Sequence, residues 1–169
     1  MLFLSVINMV QVYLSGPIIH ENLRKDDFYK SVIKLLEEKE IDVFAPQFMA
    51  ASDAKYIYER DVHQVRKSDL LIAEVSNPSL GVGMELMLAI ELGKPVLMFR
   101  HRESERLSRM AFGATGKVLF EYSSLDEVED ILAQIRIKEL TVHECTQCES
   151  QVAETQASEY RCVFCGSIK

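Results

Sequence analysis

With 169 residues, 48% of them hydrophobic and 27% charged, the chain has the size and composition of one soluble domain with a small appendage. A net charge of −7 provides no basic field for a phosphate backbone, so nucleic acid is disfavoured as the main partner. No apolar run reaches the ~20 residues that cross a bilayer, and 1–8 lacks the features of a signal peptide, so we expect a cytoplasmic protein. Met1 and Met9 are both candidate start residues, because the strand-like pattern begins only at Val10.

Apolar runs and helical periodicities alternate along most of the chain. In chain order, the pattern predicts strand 10–14, helix 22–39, strand 41–44, helix 52–67 with Ser52 as its cap, strand 69–75, helix 82–92, strand 95–99, helix 104–112, strand 117–121 and helix 125–137. Strict alternation with short connections predicts an α/β fold, a doubly wound five-stranded parallel sheet of the flavodoxin or Rossmann kind.

We therefore expect an α/β domain over residues 1–138 and a small tail over 139–169. In doubly wound sheets, ligands bind beyond the carboxyl ends of the strands, where the strand order reverses. The loops after the first and third predicted strands, 15–20 and 76–83, are therefore the expected place for the chemistry.

Glu85 lies in the first turn of a predicted helix, directly after a loop with Pro78 and two glycines. A carboxylate there could simply stabilise the helix dipole by ~0.3–1 kcal/mol. The loop, however, brings the backbone close to the carboxyl edge of the sheet. Ser79 and the loop amides could bind a phosphate, although Gly81-Val82-Gly83 matches neither a dinucleotide fingerprint nor a P-loop.

Asp61 is a second carboxylate in an unusual position. Ile57 and Val65 flank it at helical spacing, and no Lys or Arg stands three or four residues later to pair with it. The alternative is a surface aspartate at the edge of the apolar stripe. Two carboxylates with different environments can act as acid and nucleophile, as glycosidic cleavage requires. Tyr13 lies at the end of the first predicted strand, next to the loop that begins at Ser15, although a tyrosine there is often only a core residue.

Four segments resemble one known family. They are Ala73-Glu74-Val75-Ser76-Asn77-Pro78-Ser79-Leu80-Gly81-Val82-Gly83-Met84-Glu85-Leu86, Asp61 eight residues before Asp69, Val12-Tyr13-Leu14-Ser15-Gly16-Pro17-Ile18, and Leu107-Ser108-Arg109-Met110-Ala111-Phe112-Gly113-Ala114. Over roughly 10–137 the chain resembles the nucleoside 2-deoxyribosyltransferase superfamily, and within it most closely the 2'-deoxynucleoside 5'-phosphate N-hydrolases.

This resemblance implies an enzyme that cleaves the N-glycosidic bond of a nucleoside or nucleotide without a cofactor. It implies that Glu85 attacks the anomeric carbon, that Tyr13 orients Glu85, and that Asp61 assists departure of the base before water releases the sugar. Residues implied to contact the substrate or lie beside it are Gly16, Ile18, His20, Ser79 and Gly81. Ser108 matches a serine that reaches the substrate phosphate in the neighbouring subunit, which implies a homodimer with composite sites.

The first loop departs from the hydrolases, which carry Ser and Arg where this chain has Pro17 and Ile19. His20, Arg24 or Lys25 could replace the lost charge. Alternatively, the substrate lacks a 5'-phosphate and the enzyme is a nucleoside 2-deoxyribosyltransferase that exchanges bases. A third possibility is a non-catalytic nucleotide-binding module whose tail recruits a protein. The sequence leaves open which base is preferred, whether the sugar is ribose or deoxyribose, and whether the reaction is hydrolysis or transfer.

All four cysteines lie in the tail as two Cys-x-x-Cys pairs, Cys145 with Cys148 and Cys162 with Cys165, and thirteen residues lie between the pairs. Two such pairs indicate a metal site, and disulfides are the less favoured alternative in the cytoplasm. We expect a structural Zn²⁺ in a zinc-ribbon-like tail, contributing on the order of 10–16 kcal/mol to local folding. Iron is the alternative metal. The tail has few basic residues, so a structural or protein-binding role is expected.

Overall fold

The computed structural model describes residues 9–169, so residues 1–8, on which the choice between Met1 and Met9 as the start residue depends, lie outside the described residues. The strands of the main sheet are β1 (Gln11–Ser15), β2 (Asp42–Phe44), β3 (Leu70–Glu74), β4 (Val96–His101) and β5 (Lys117–Tyr122). The helices are α1 (Asp26–Glu38), α2 (Ala54–Lys67), α3 (Leu80–Glu91), α4 (Arg109–Phe112) and α5 (Leu125–Gln134). The tail contains β6 (Leu140–Val142), β7 (Val152–Gln156) and β8 (Glu159–Cys162).

The main sheet is parallel throughout, with strand order β2-β1-β3-β4-β5. This order confirms the predicted doubly wound fold and places the topological switch point between β1 and β3. One face of the sheet packs on α1 and α5 through residues such as Leu14 and Ile72, and the other packs on α2 and α3 through Tyr13 and Ala73. Within residues 9–169, no helix is both long and apolar enough to cross a membrane.

Several predicted boundaries were wrong by a few residues. Asp53, and not Ser52, caps α2, because its carboxylate accepts a hydrogen bond from the backbone N–H of Tyr56 at 3.0 Å. The first helix begins at Asp26, after a short 3-10 turn at Glu21–Leu23. The predicted helix 104–112 is reduced to the four residues of α4, and α5 ends three residues before the predicted end.

The tail forms a three-stranded antiparallel sheet, β6-β7-β8, that packs beside edge strand β5. The N–H of Gln151 donates to the carbonyl of Lys117 at 2.9 Å, at the beginning of β5. Val152 is fully buried in the core that underlies α1 and α5. The buried carboxylate of Glu154 accepts two hydrogen bonds from the side chain of Arg136, at 2.9 and 3.1 Å. The tail therefore packs along edge strand β5, from the hydrogen bond at Lys117 to the ring of Phe164, which lies 5.8 Å from that of Phe120.

Candidate active site

Glu85 is held by two hydroxyl groups from β1. Ser79 caps α3, since its side chain accepts from the N–H of Val82, and Glu85 follows on the side of the helix that faces the sheet. The hydroxyl of Tyr13 donates to Oε1 of Glu85 at 2.8 Å, and the hydroxyl of Ser15 donates to Oε2. Both oxygens of one carboxylate are thus bound by donors on a buried strand.

The surroundings of Glu85 place its titration near neutral pH. Burial raises the pKa of Glu85 to about 7, the hydrogen bonds from Ser15 and Tyr13 oppose that rise, and the charge of Asp61 adds to it. Burial and the negative charge of Glu85 raise the pKa of Tyr13 well above its usual range. Tyr13 therefore keeps its proton and remains a hydrogen-bond donor at every physiological pH.

Asp61 faces Glu85 from α2 and is not unpaired as the sequence indicated. Nε of Arg60, the preceding residue, lies 2.7 Å from Oδ1 of Asp61, and both side chains are largely buried. The guanidinium of Arg60 also lies over the ring of Phe44, 5.8 Å from its centroid. Helical spacing indicates only partners three or four residues away, whereas the partner of Asp61 is the residue directly before it.

The two carboxylates share a cavity of about 390 Å³ between α2 and α3. Apart from these acids and Arg66, its lining is mostly apolar: Ala54, Ile57, Tyr58, Val62, Val65, Gly81, Met84 and Leu88. A concave apolar wall with a few convergent polar groups is typical of small-molecule sites. This cavity could hold a flat aromatic base against the apolar wall with its glycosidic bond near the acids.

The structure brings only some of the predicted substrate residues to this cavity. Gly81 lines it, and Ser79 caps the adjacent helix. Gly16 is buried against Tyr29, and a Cβ at this position would lie 2.2 Å from the Tyr29 hydroxyl oxygen. The predicted residues of the first loop and the cap of α4 do not line the cavity: Ile18 is half-buried, and His20 and Ser108 are exposed.

Ser15 and Arg60 are the site residues that sequence reasoning missed. Ser15 was read as part of a turn before Gly16 and Pro17, but β1 extends through it. Its spacing of two residues from Tyr13 could have indicated that both side chains point to Glu85, since alternate residues of a strand share one face.

The four cysteines of the tail come together as a candidate metal centre. The Sγ atoms of Cys145, Cys148, Cys162 and Cys165 all lie within 4.8 Å of one another. Two Sγ pairs, 145 with 165 and 148 with 162, are each 3.6 Å apart. A tetrahedral zinc ion with Zn–S bonds of 2.3 Å needs S–S edges of about 3.8 Å, so this donor set fits the ion.

Backbone amides support the thiolate sulfurs of the centre. The N–H of Gln147 points to Sγ of Cys145 at 3.3 Å, and the N–H of Phe164 to Sγ of Cys162 at 3.4 Å. Gly166, with φ of 74°, occupies the left-handed turn after the second pair. These contacts fix the sulfurs so that the tail could bind a metal ion.

Comparison with known proteins identifies relatives that act on nucleotides. The family model described as nucleoside 2-deoxyribosyltransferase matches residues 12–115. The 5-hydroxymethyl-dUMP N-hydrolase of Danio rerio is 45% identical over 83 residues, which are 47% of this chain and 58% of that protein. A Thermofilum pendens protein provisionally named 2'-deoxynucleoside 5'-phosphate N-hydrolase 1 is 33% identical over 130 residues, covering 70% of this chain and 89% of its own length. The chain thus spans only a little over half of the Danio rerio relative.

Solved structures share the fold of the α/β domain. The CMP N-glycosidase BcmB of Clostridium botulinum has a TM-score of 0.56 and 19% identity, and the match covers 73% of this chain and 98% of that chain. The 2-deoxyribosyltransferase of Bacillus psychrosaccharolyticus has a TM-score of 0.56 and 19% identity, covering 72% of this chain and 91% of that chain.

Proposed function

Because the chain belongs to the nucleoside 2-deoxyribosyltransferase family, we propose that it hydrolyses the N-glycosidic bond of (deoxy)nucleoside 5'-monophosphates and releases free base and sugar phosphate. The observation that carries this proposal is the placement of Glu85, bound at both oxygens by β1 and sharing an apolar cavity with Asp61. The relatives named as nucleotide N-hydrolases support the same substrate class.

The reaction would proceed in two displacements. First, a Glu85 oxygen attacks the anomeric carbon as the carbon–nitrogen bond breaks, and the base leaves with the bonding electron pair and a proton relayed through Asp61. Next, water attacks the same carbon, the ester to Glu85 breaks, and the proton of the water passes to Asp61. Arg60 would keep the Asp61 carboxyl group in place for both transfers. No metal or organic cofactor is required for either step.

A phosphate would be bound at the beginning of α3. The helix N-terminus at Ser79 and Gly81 directs backbone amides toward the cavity edge. In the first loop, Arg24 is already engaged by Asp26 and by the carbonyl of Gln47. His20 and Lys25 are therefore the better candidates for the charge that the hydrolases supply in this loop.

The decisive experiment measures release of free base by chromatography when the protein is incubated with each deoxynucleoside 5'-monophosphate. We expect release by the wild type and loss of at least about 10³-fold in Glu85→Gln, since the nucleophile is removed. Intact mass of the acid-quenched wild type should show one added deoxyribosyl phosphate. Absence of release from every nucleotide, or undiminished release in the variant, would contradict the proposal, and binding without turnover would favour the nucleotide-binding module.

The second candidate function is nucleoside deoxyribosyl transfer. Ile19 is 87% exposed, so the first loop presents an apolar side chain to solvent where a phosphate clamp would need a charge. In transfer, a second base captures the glycosyl-enzyme in place of water. Mixing a deoxynucleoside with a foreign base should then yield the new nucleoside, and failure to form it would remove this candidate.

We further propose a homodimer with composite sites. Helices α3 and α4 each carry exposed apolar side chains: Leu80, Met84, Met87, Met110 and Phe112. Ser108 caps α4, is exposed and does not line the cavity of its own chain, as expected of a residue that contacts the partner's substrate. Sedimentation should give twice the chain mass, and Met110→Glu should shift it toward monomer.

Complementation tests the composite site directly. Ser108→Ala and Glu85→Gln chains, each weakly active, should regain activity when mixed, because one site of the mixed dimer contains both native residues. A mixture of Glu85→Gln with Tyr13→Phe should not recover, since both changes fall in the same half of the site. Equal behaviour of the two mixtures would contradict the composite site.

For the tail, we propose that residues 139–169 form a module held by one structural Zn²⁺ on Cys145, Cys148, Cys162 and Cys165. The fit of the four sulfurs to a tetrahedral ion supports the proposal. Elemental analysis should find one zinc per chain. Iron at that ratio would replace zinc in the proposal. The absence of both metals would refute the proposed metal site.

A further inference from the structure

Ser15 contacts the candidate nucleophile as closely as Tyr13 does. The two residues are two positions apart on β1, so their side chains leave the same face of the strand. Tyr13 donates to Oε1 of Glu85 and Ser15 to Oε2. Ser15 is fully buried, and its backbone pairs with Ala73 of the central strand β3. Its hydroxyl therefore has a fixed position and little competition from water.

We infer that Ser15 is a positioning residue for Glu85, and that Tyr13 and Ser15 together fix the plane of the attacking carboxylate. This inference rests on the proposed function, in which Glu85 is the nucleophile. One donor would leave the carboxylate free to rotate about its Cγ–Cδ bond, whereas two donors on one rigid strand hold both oxygens. The lone pair that faces the cavity then keeps one direction toward the anomeric carbon.

The same hydrogen bond favours the ionised form that attack requires. Burial alone would keep the Glu85 carboxyl group protonated, while a hydroxyl donating to the carboxylate stabilises the anion. The other groups facing Glu85 are Tyr13 from β1 and Asp61, Arg60 and Arg66 from α2. Of the groups on these two elements, only Tyr13 and Ser15 donate hydrogen bonds to Glu85 within the described chain.

A purely structural serine and a positioning serine make different predictions. If Ser15 only satisfied buried polar groups, its removal would lower stability and leave the titration of Glu85 unchanged. If it positions Glu85, its removal should raise the pKa of Glu85 by about one unit, because a charge-assisted hydrogen bond to the anion is lost. The acidic limb of the kcat/KM profile should move by the same amount.

The test uses the full chain labelled with carboxyl-¹³C glutamate and follows the Glu85 resonance, assigned by its absence in Glu85→Gln, as pH is varied. We expect the midpoint to rise by about one unit in Ser15→Ala and by less in Ser15→Cys, whose thiol is a weaker donor. Ser68→Ala is the matched control, because Ser68 is also buried but donates to the carbonyl of Gln64 at the C-terminal end of α2 and has no contact with Glu85. It should leave the midpoint unchanged.

An unchanged Glu85 midpoint in both folded Ser15 variants would overturn the inference. Circular dichroism checks that each variant folds. If Ser15→Ala unfolds, the test is made with Ser15→Cys, whose side chain is nearly equal in volume to that of serine. Failure of the proposed function gives a different result, since a wild type that releases no base still reports the effect of Ser15 on Glu85 in the titration.

Discussion

The hydroxyl of Tyr13 lies 2.8 Å from Oε1 of Glu85, joining β1 to α3 across 72 residues of sequence. Burial keeps the phenol protonated, while the carboxyl group that it serves titrates near pH 7. The protonation state of Tyr13 is thus constant over the physiological pH range, whereas that of Glu85 is not. The charge of Glu85, the proposed nucleophile, is therefore the quantity that pH should control.

Base release should increase as pH rises through about 7. Glu85 must be ionised to attack, and its pKa of about 7 leaves much of the free enzyme protonated below neutrality. Below the midpoint, kcat/KM should fall about tenfold per pH unit. A profile measured from pH 5 to 9 checks this, and a flat profile between 5 and 8 would show that Glu85 is not the titrating nucleophile.

Tyr13→Phe should lower kcat by about 10–100-fold with little change in KM. The substitution removes a donor worth about 1.5–3 kcal/mol to a charged acceptor, and Tyr13 does not line the cavity that would hold the base. Tyr160→Phe, in the tail, is the control and should match the wild type. A rise in KM with unchanged kcat would instead make Tyr13 a substrate-binding residue.

Glu85→Gln should make stability less sensitive to pH. In the folded chain this carboxyl group holds its proton up to about pH 7, whereas the unfolded chain releases it near the ordinary value of 4.5. The native state therefore binds more protons in this window, and stability falls as pH rises from 4.5 to 7, by roughly 3 kcal/mol in total.

Urea unfolding at pH 5 and pH 8 should show this loss in the wild type and not in Glu85→Gln. The exposed Glu91, on the same helix, supplies the matched control, and Glu91→Gln should retain the wild-type dependence. Parallel stability curves for wild type and Glu85→Gln would contradict the assigned burial of the Glu85 charge.

The sequence predicted the sheet, because apolar runs mark buried strands and parallel strands end at one edge. The joint roles of Tyr13, Asp61 and Glu85 were implied by the family resemblance, and the structure brings the three residues together. The sequence could not predict which of two adjacent cap-forming residues, Ser52 or Asp53, begins α2. The contacts of Ser15 and Arg60 were missed for a different reason. The contact of Ser15 depends on β1 ending one residue later than predicted. The contact of Arg60 depends on the rotamer of its side chain.

Gly16→Ala should destabilise the fold by about 1–3 kcal/mol. Its new Cβ would overlap the Tyr29 ring, with atoms at 2.2 to 2.6 Å, and a fully buried ring has no room to move. Gly83→Ala is the contrasting variant, because nothing lies within 4 Å of its Cβ and it sits inside α3. It should stabilise by about 0.5–1 kcal/mol. Chemical denaturation of both measures the difference, and a neutral Gly16→Ala would contradict the packing.

Removal of the proposed tail metal should lower thermal stability and spare catalysis in the molecules that stay folded. Metal loss frees the tail from β5, where Gln151 bonds Lys117 and Val152 completes the core. Losing the burial of Val152 costs about 1.5–3 kcal/mol, which corresponds to a fall in Tm of about 3–12 °C for a chain of this length.

Metal loss should change the structure of the active site less than that of the tail. The hydrogen bond between Gln151 and Lys117 lies at the beginning of β5, whereas Glu85 is bound by β1 at the carboxyl edge of the sheet. Calorimetry and base release before and after chelation test both statements, and Cys162→Ser should reproduce the chelated state. Re-addition of zinc should restore Tm in the wild type and not in the variant. Loss of base release at a temperature where the chelated protein remains folded would show that the tail acts on the site itself.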